Sequence, residues 1–453
     1  MRSLDIGEYT SRSYSGSWRD ELRVGWDTLL KSSKLQLYYL GGLLFQRGVP
    51  FLLMPWLIHL YGQHTYAFYV LFYSTVQLGG ICCSLAVPLS PIAFWSRIER
   101  KQQLVITSAV LILTLLLTLG TVVSIPLFEL YRRMFPGTAV TWLTLLGIAY
   151  IGQYAITQFL VSLHRATDSS RAFFAAQVLG GVALIAAAMF HASGSGLLRL
   201  VSSFLIGICV QNGFLLITSS DLYRGARRLD LNFSLARELL RYSAPLVLYT
   251  GAVLYMYWID KYLVKLHFSL SQFSTFSITF QYAFAQAFLA QVLGFYTFPA
   301  ICRHVATQAH GELKRFLLTY NLVIFVFGAV YASSVLAVHR WIYGLHINPG
   351  GFLLLSFAFL TTNLAANYVN TLYAMRRTLF VALLEACGAL LLSLLIATAC
   401  HVHHIELCYL SHLAVSLLIL VGLWFGCRVY FSAVPNELAC SYISLKTEAV
   451  TGD

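Results

Sequence analysis

Residues 103–128, QLVITSAVLILTLLLTLGTVVSIPLF, contain no charged side chain, and this stretch decides the fold class. An α-helix rises about 1.5 Å per residue, so about 20 apolar residues cross the hydrocarbon core of a bilayer. An uncharged stretch this long is typical of a transmembrane helix rather than of a helix in a soluble core. We therefore predict a membrane-spanning helix here.

The same pattern recurs along the whole chain. Hydrophobic residues make up 58% of the 453 residues and charged residues only 11%, whereas soluble domains contain about 25% charged residues. Charge is scarce because most of the chain lies where burying it is costly. We predict an all-α, polytopic membrane protein with twelve transmembrane helices, at 35–60, 65–92, 103–128, 138–163, 171–192, 198–219, 243–266, 273–300, 316–338, 351–374, 378–400 and 406–430.

Lysine and arginine predict the orientation, because both accumulate in the cytoplasmic links of membrane proteins. If both termini and every second link face the cytoplasm, that side collects 23 of the 30 basic residues. The net charge of +12 then reflects topology and attraction to anionic lipid headgroups. We predict cytoplasmic termini, membrane lipids as partners and no nucleic-acid partner.

The first 34 residues are polar and show no apolar segment of a cleavable signal peptide. Apolar residues at helical spacing, with basic residues around them, indicate either a helix lying in the cytoplasmic interface or a solvated tail. These apolar residues are Trp18, Leu22, Trp26, Leu29 and Leu30. The nine cysteines form no Cys-x-x-Cys pair, so no disulfide framework is predicted.

A shift of about 209 residues superimposes the first six predicted spans on the last six. Polar residues that coincide at this offset are Tyr73 with Tyr282, Gln77 with Gln286, Tyr154 with Asn363, and Gln158 with Asn367. Each half holds an even number of spans, so an axis along the membrane normal should relate the halves, with a substrate path between them. We predict lobes at 35–220 and 243–431, a cytoplasmic linker at 221–242, and cytoplasmic tails at 1–34 and 432–453.

Polar side chains at helical spacing mark the candidate binding face of this path. They are Tyr73 and Gln77 in the second span, Tyr282 and Gln286 in the eighth, and Asn363, Asn367 and Asn370 in the tenth. One interpretation is interhelical hydrogen bonding, which is common for such residues in membrane bundles. The other is a cavity face that binds a hydroxyl-rich substrate, and the repeat favours it.

Charges inside the spans are the second set of candidates: Arg47, Asp260, Lys261, Lys265 and Glu385. A charge at the centre of a bilayer costs about 3 kcal/mol even on lenient scales, so each should have a partner or a task. An Arg47–Asp260 ion pair between the lobes is one interpretation, and ligand binding or gating is the other. A guanidinium suits phosphate because its planar fork pairs with two oxygens.

Residues 400–408, CHVHHIELC, form an external link that is rich in metal-ligand residue types. Their spacing matches no common zinc pattern. We therefore predict a solvated loop, no metal site and no cofactor.

Residues 239–246, LLRYSAPL, and 258–263, WIDKYL, resemble the start of the second half of Wzx-type polysaccharide flippases. These belong to the multidrug/oligosaccharidyl-lipid/polysaccharide exporter superfamily, which also contains the MATE drug exporters. The opening of the chain is similar too, with Gly41-Gly42, Pro50, Pro55 and Leu60-Tyr61-Gly62. The chain departs from the pattern at 266–269, where LHFS replaces a glycine-rich turn.

The resemblance implies a MATE-like fold and a flippase of the bacterial cytoplasmic (inner) membrane. Its substrate would be an undecaprenyl-diphosphate-linked oligosaccharide, moved to the periplasmic leaflet for surface polysaccharides such as the O-antigen of lipopolysaccharide. Arg47, with Lys261 or Lys265, would hold the diphosphate, and the tyrosine, glutamine and asparagine stripes would bind sugar. Asp260 or Glu385 would couple transport to an ion gradient or gate it. Polymerase and chain-length-control proteins of the same pathway would be partners.

Two other classes of function are weighed against this one. A MATE-like small-molecule or drug antiporter should contain more buried acids and fewer bases. A membrane-embedded polysaccharide polymerase or ligase should contain a large external loop with catalytic residues, and the predicted external links are short. We therefore predict a transporter rather than an enzyme.

Overall fold

The structure is a computed structural model that describes residues 34–95, 98, 100–135, 140–167, 169–190, 196–224, 232–287, 297–298, 300–302, 304–305, 310–338, 347–375 and 377–433. Residues 1–33, which include the apolar residues of the predicted interfacial helix, lie outside this range, and so do residues 434–453 of the other tail. The Arg47 side chain also lies outside the described part of the chain.

Twelve long α-helices, and no strand, form the described part of the chain. They are α1 (Lys34–Tyr61), α2 (Gln63–Ser84), α3 (Lys101–Met134), α4 (Val140–Ala166), α5 (Ser170–Phe190), α6 (Gly196–Thr218), α7 (Phe233–His267), α8 (Leu270–Phe284), α9 (His310–Val338), α10 (Pro349–Ala374), α11 (Thr378–His401) and α12 (Ile405–Ala433). Short helical segments occupy Val87–Leu89, Ser90–Phe94 and Ser220–Arg224.

These helices confirm the prediction of a polytopic, all-α membrane protein. Nine described helices are long and apolar enough to cross a membrane, by length and composition. The other three are α1, α7 and α8, of which α7 carries several charged residues and α8 has only 15 residues. Each predicted span nevertheless falls on one of the twelve long helices.

The second predicted span ends earlier than the sequence suggested. We predicted a helix to residue 92, but α2 ends at Ser84. Leu85 and Ala86 then adopt left-handed backbone angles, with φ of 48° and 52°, and Pro88 opens the short segment that follows. Proline favours the first turn of a new helical segment over the interior of a longer helix, so the chain restarts there.

The seventh and eighth helices also differ from their predicted ranges. α7 begins at Phe233, so the second half of the predicted linker at 221–242 is helical. The Asn232 side chain caps this helix by accepting a 3.0 Å hydrogen bond from the Leu235 amide, which satisfies a donor that the first turn leaves unpaired. α8 ends at Phe284, and residues 288–296 and 299 of the predicted span lie outside the described part of the chain.

The internal repeat is visible in the positions of the helices. α3, α4 and α6 begin at residues 101, 140 and 196, and α9, α10 and α12 begin 209 residues later, at 310, 349 and 405. The contacts between helices also repeat from the first half to the second. α1 packs on α5 as α7 packs on α11, and α6 packs on α4 and α5 as α12 packs on α10 and α11. The two halves are therefore similar bundles.

The two lobes meet where α2 packs against α7 and α8. The indole Nε1 of Trp258 donates a 3.0 Å hydrogen bond to Oγ1 of Thr75. Nearer the start of α2, His64 Nδ1 and Ser274 Oγ are 2.7 Å apart, and the ring of Phe68 lies 5.7 Å from that of Phe273. These contacts place α2 at the centre of the molecule, beside the elements of the candidate site.

We predict that the crossing of α5 and α6 requires glycine at position 207. A Cβ atom there would lie 2.9 Å from the carbonyl oxygen of Gly180 and 3.1 Å from the Cβ of Leu184. Overpacking of this kind costs about 1–3 kcal/mol, so Gly207→Ala should lower the melting temperature of the purified protein. Gly213→Ala is the control on the same helix, because a Cβ there meets nothing within 4 Å. Equal melting temperatures for the two variants would contradict the prediction.

Candidate functional site

A cavity of about 180 Å³ lies at the junction of the lobes. Its walls come from α1, α2, α4, α5 and α6 of the first lobe and from α7 and α8 of the second. Pro50, inside α1, and the adjacent Gly180 and Gly181 of α5 contribute to the lining. The cavity therefore occupies the position that the repeat predicts for a substrate path.

Aromatic rings form one wall of this cavity. The Tyr69 ring stacks on Phe204 with a centroid distance of 4.3 Å and on Tyr73 at 6.0 Å. Tyr73 in turn meets Tyr150 edge to face at 6.0 Å. Large rings with polar tips offer both flat apolar surface and hydroxyl groups to a ligand.

Glutamine side chains form the polar part of the lining, at positions 77, 158, 177, 211 and 281. The Nε2 atoms of Gln177 and Gln211 are buried and have no hydrogen-bond partner among the described residues. A buried donor left without a partner costs about 1–3 kcal/mol, so such groups need an explanation. Their position in the cavity wall supplies one, because a ligand or water there can accept from both amides.

Lys261 is the one charged residue among the described residues that line the cavity. Its side chain is buried, with Nζ 3.3 Å from Oδ1 of Asp260 and 3.4 Å above the centre of the Phe280 ring. Nζ also donates to the backbone carbonyl of Tyr257. The ammonium is thus compensated by a carboxylate, as a buried charge requires.

Asp260 has a second partner, which the sequence reasoning missed. Nε2 of His412 lies 3.1 Å from Oδ2 of Asp260, and both side chains are buried. The backbone amide of Lys261 donates to Oδ1 of the same carboxylate at 2.6 Å. The signal for His412 was present in the sequence, since a titratable histidine in the apolar span 406–430 is itself a functional candidate.

The predicted stripe residues are divided between the cavity and the helix interfaces. Tyr73 and Gln77 line the cavity. Asn363 Nδ2 donates to the Gln286 carbonyl at 3.3 Å, and Asn367 Nδ2 donates to Asn321 Oδ1 at 2.6 Å. These two bonds connect helices, which is the first of the two interpretations given for the stripes.

The other predicted residues lie away from the described lining. The Tyr282 carbonyl accepts a 2.6 Å bond from the Tyr331 hydroxyl, and Asn370 is half-buried near the end of α10. Nζ of Lys265 lies 5.6 Å from the centre of the Phe68 ring, at the lobe interface. Glu385 is buried in α11, within electrostatic range of tyrosines 249, 257 and 373. Arg47 belongs to α1, but its side chain lies outside the described residues.

Gln177 and Gln211 of the lining were not among the sequence candidates. Each is the one glutamine of its predicted span, at 171–192 or 198–219, and Asn212 follows Gln211 directly. Amide side chains in a membrane span are ordinarily explained by helix packing. Their relation to a cavity depends on how α5 and α6 cross, which the sequence pattern does not give.

No family model matches the sequence, and no curated protein matches it. Among solved structures, the chain is similar to an inward-facing multidrug resistance MATE family transporter of the MOP superfamily, with 13% identity, a TM-score of 0.59, and coverage of 91% of this chain and 98% of that one. It is also similar to the eukaryotic MATE transporter AtDTX14, with 14% identity, a TM-score of 0.61, and coverage of 88% and 96%. A third is the MATE transporter ClbM in complex with Rb⁺, with 12% identity, a TM-score of 0.56, and coverage of 91% and 96%.

These likenesses show that the chain has the fold of MATE transporters of the MOP superfamily. The predicted MATE-like fold of two six-helix lobes is therefore confirmed. Sequence identity at this level shows the fold alone, so the narrower resemblance to Wzx-type flippases stays a prediction.

We predict that Asp260→Asn destabilises the protein. The change leaves the buried Lys261 ammonium without its carboxylate, and breaking a buried ion pair in this way costs about 3–5 kcal/mol. The melting temperature of the purified variant should fall well below that of the parent. Adding Lys261→Met should recover much of the loss, because the unpaired charge is removed with its partner.

Glu406→Gln is the matched control for Asp260→Asn. It also removes one carboxylate, but Glu406 is exposed in the first turn of α12. Its melting temperature should equal that of the parent protein. An unchanged melting temperature for Asp260→Asn would show that the ion pair does not stabilise the second lobe.

Proposed function

We propose that this protein is a MATE-like secondary transporter whose substrate binds in the cavity between the lobes and crosses the membrane by alternating access. The position of the cavity carries the proposal, since both lobes contribute to its walls. Rocking of one lobe against the other would open such a cavity to either face of the membrane. The His64–Ser274 and Phe68–Phe273 contacts lie at the starts of α2 and α8, where an outward opening would have to separate the lobes.

The chemistry of the lining supports a neutral, hydroxyl-rich substrate group. No aspartate or glutamate occurs among the described residues of the cavity wall, so an organic cation would find no opposite charge there. Glutamine amides donate to and accept from hydroxyls, and tyrosine rings pack on apolar ring faces. At about 180 Å³, the cavity is smaller than the roughly 300–1,000 Å³ of drug-sized pockets. It fits a small molecule or one small part of a larger one.

Two substrates agree with these features. The solved structures of the same fold are MATE transporters, which supports antiport of a small molecule. The uncharged tyrosine and glutamine wall, with Lys261 at its edge, supports instead the flipping of an undecaprenyl-diphosphate-linked oligosaccharide in a bacterial inner membrane. In that case the sugars occupy the wall and a phosphate oxygen approaches the ammonium of Lys261.

In the proposed function, the ion cluster of the second lobe, Asp260 with Lys261 and His412, couples transport to a proton gradient. Asp260 is bonded to Lys261 in the cavity wall and to His412 in α12. A proton on His412 would strengthen its bond to Asp260 and weaken the hold of Asp260 on Lys261. Proton uptake in the second lobe would thereby change the charge that the cavity presents to the substrate. Glu385, on α11 of the same lobe, is a second candidate for ion coupling or gating.

Reconstitution of the full chain in proteoliposomes tests the proposal. One set of vesicles contains a fluorescent polyprenyl-diphosphate oligosaccharide and is scored for flipping, and a second set is scored for uptake of a small neutral glycoside and of a cationic dye. Movement of the lipid-linked sugar alone supports the flippase, and movement of the glycoside alone supports the small-molecule antiporter. Transport of the cationic dye alone contradicts the substrate chemistry, and no movement of any of the three contradicts the transport function.

We predict that Gln211→Leu lowers transport of the preferred substrate about 5- to 10-fold. The reason is the loss of one hydrogen bond between the amide and the substrate, worth about 1 kcal/mol or slightly more. The measurement is the initial rate in proteoliposomes, with the melting temperature as a check on folding. Gln102→Leu is the control, because Gln102 is exposed at the start of α3. Equal transport rates for both variants would show that Gln211 does not bind the substrate.

We predict that His412→Gln makes transport insensitive to the pH gradient. Glutamine can still donate to Asp260 but cannot carry the positive charge on which the proposed coupling depends. Initial rates should be measured with and without an imposed gradient. His404→Gln is the control, since His404 is exposed in the turn between α11 and α12 and should leave the gradient response intact. Retention of the response by His412→Gln would exclude this histidine as the coupling group.

A further inference from the structure

Two exposed arginines lie where the start of α11 meets the end of α12. Arg377 directly precedes α11, and Arg428 lies near the end of α12. Neither forms an ion pair with another residue of the part of the chain that the structure describes. The only acidic residues of these two helices are Glu385, buried in α11, and Glu406, at the opposite end of α12. The patch therefore carries two positive charges that no carboxylate of these helices compensates.

Each of these guanidinium groups lies over an aromatic ring of α12. Cζ of Arg377 is 4.6 Å from the centre of the Tyr430 ring, and Cζ of Arg428 is 5.7 Å from the centre of the Trp424 ring. Both distances fall within the range of cation–π contacts, which extends to about 6 Å. The rings hold two otherwise flexible side chains in place, which lowers the entropy cost of binding an anion.

Close packing of the two helices supports this arrangement. Phe380 lies one turn after Arg377, and its ring meets the Tyr430 ring edge to face, with 5.8 Å between the ring centres. A Cβ atom at position 426 would lie 2.5 Å from the Phe380 ring, so Gly426 allows this ring to pack directly against the backbone of α12. The start of α11 is thus fixed against the end of α12, with Arg377 over Tyr430.

Both arginines lie at the depth of the lipid headgroups. α12 contains no lysine, arginine, aspartate or glutamate between Glu406 and Arg428, and at 1.5 Å per residue this interval measures about 33 Å. The hydrocarbon core of a bilayer is about 30 Å thick, and tryptophan and tyrosine are typical of its boundary with the headgroups. The predicted orientation puts this end of α12 on the cytoplasmic side, where anionic lipids are concentrated.

The surface that adjoins the two arginines is apolar. Val421 and Phe425 of α12 and Leu379 and Leu383 of α11 are each more than half exposed. Lipid acyl chains can pack against such a surface, whereas a soluble anion would gain nothing from it. No described residue of α11 or α12 lines the cavity between the lobes, so this surface is separate from the proposed substrate site.

We propose that Arg377 and Arg428 bind the headgroup phosphate of an anionic phospholipid in the cytoplasmic leaflet. Guanidinium groups pair with phosphate oxygens through charge-assisted hydrogen bonds, two at once where the geometry allows. The acyl chains of the lipid pack against the adjoining apolar surface. Two unpaired arginines fit a headgroup with a net negative charge, such as that of phosphatidylglycerol. They fit phosphatidylcholine less well, because its choline cation is repelled by the second guanidinium.

Native mass spectrometry of the full-length protein tests this lipid site. The protein is purified in detergent and titrated with phosphatidylglycerol or with phosphatidylcholine of the same acyl chains, and the first bound lipid is quantified. We expect the parent protein to bind phosphatidylglycerol about 10-fold more tightly, since hydrogen bonds to charged groups are strong enough for a tenfold change. Arg377→Gln combined with Arg428→Gln should abolish this preference and leave the binding of phosphatidylcholine unchanged. Equal binding of the two lipids by the parent protein would overturn the proposal.

Arg132→Gln combined with Arg133→Gln is the matched control. It removes the same number of positive charges, but these two arginines share Glu129 of α3, at 2.9 and 3.1 Å, and their loss should leave phosphatidylglycerol binding at the parent level. An equal loss of affinity in the control, or none in the double variant of Arg377 and Arg428, would contradict the proposal. If that double variant does not fold, the two single variants replace it, each with an expected loss of about 3-fold. The measurement does not depend on transport, so it tests the lipid site even if the proposed function fails.

Discussion

A polar group in the apolar part of this chain has to find its partner inside the protein, because hydrocarbon offers none. The backbone meets this requirement by forming helices, which satisfy their own amides and carbonyls. Hydroxyl side chains meet it locally, as when Thr75 donates to the Leu71 carbonyl of its own helix at 2.9 Å. Longer polar side chains form hydrogen bonds with another helix, and these interhelical bonds help to hold the bundle together. The Trp258–Thr75 bond and the Asn367–Asn321 bond are of this kind.

The same requirement explains why the two lobes differ although their helices repeat. In the first lobe, Gln177 and Gln211 keep amide donors without partners among the described residues, and both point to one cavity. In the second lobe, Asn363 donates to the Gln286 carbonyl and Asp260 lies between Lys261 and His412, while the Nε2 atom of Gln286 is buried and has no partner among the described residues. Buried donors without partners suit a site that a ligand completes, and in the proposed function the partnered Asp260 cluster serves coupling.

The sequence was sufficient to predict the helices and insufficient to predict which side chains of different helices contact one another. Apolar runs gave each helix, because hydrophobicity over about 20 residues is a local property. The offset of 209 residues was readable for the same reason and recurs in the helix starts. Tyr73 and Gln77 line the cavity, whereas Asn363 and Asn367 donate to groups outside their own helix, and spacing along one helix cannot separate the two interpretations of these polar stripes. The span of His412 marks it as a candidate, but its contact with Asp260, 152 residues away, is visible only in the structure.

Lys261 shows how the two sites would act on each other. Its ammonium lies in the cavity wall, and its carboxylate partner is also held by a histidine of the second lobe. One ammonium cannot pair fully with two anions at once, so a substrate phosphate in the cavity would compete with Asp260. That competition is weak while Asp260 depends on Lys261 alone for a positive charge, and it becomes stronger when His412 supplies a second one. Proton binding at His412 and substrate binding in the cavity would then be linked through a single shared cation, and by reciprocity each would favour the other.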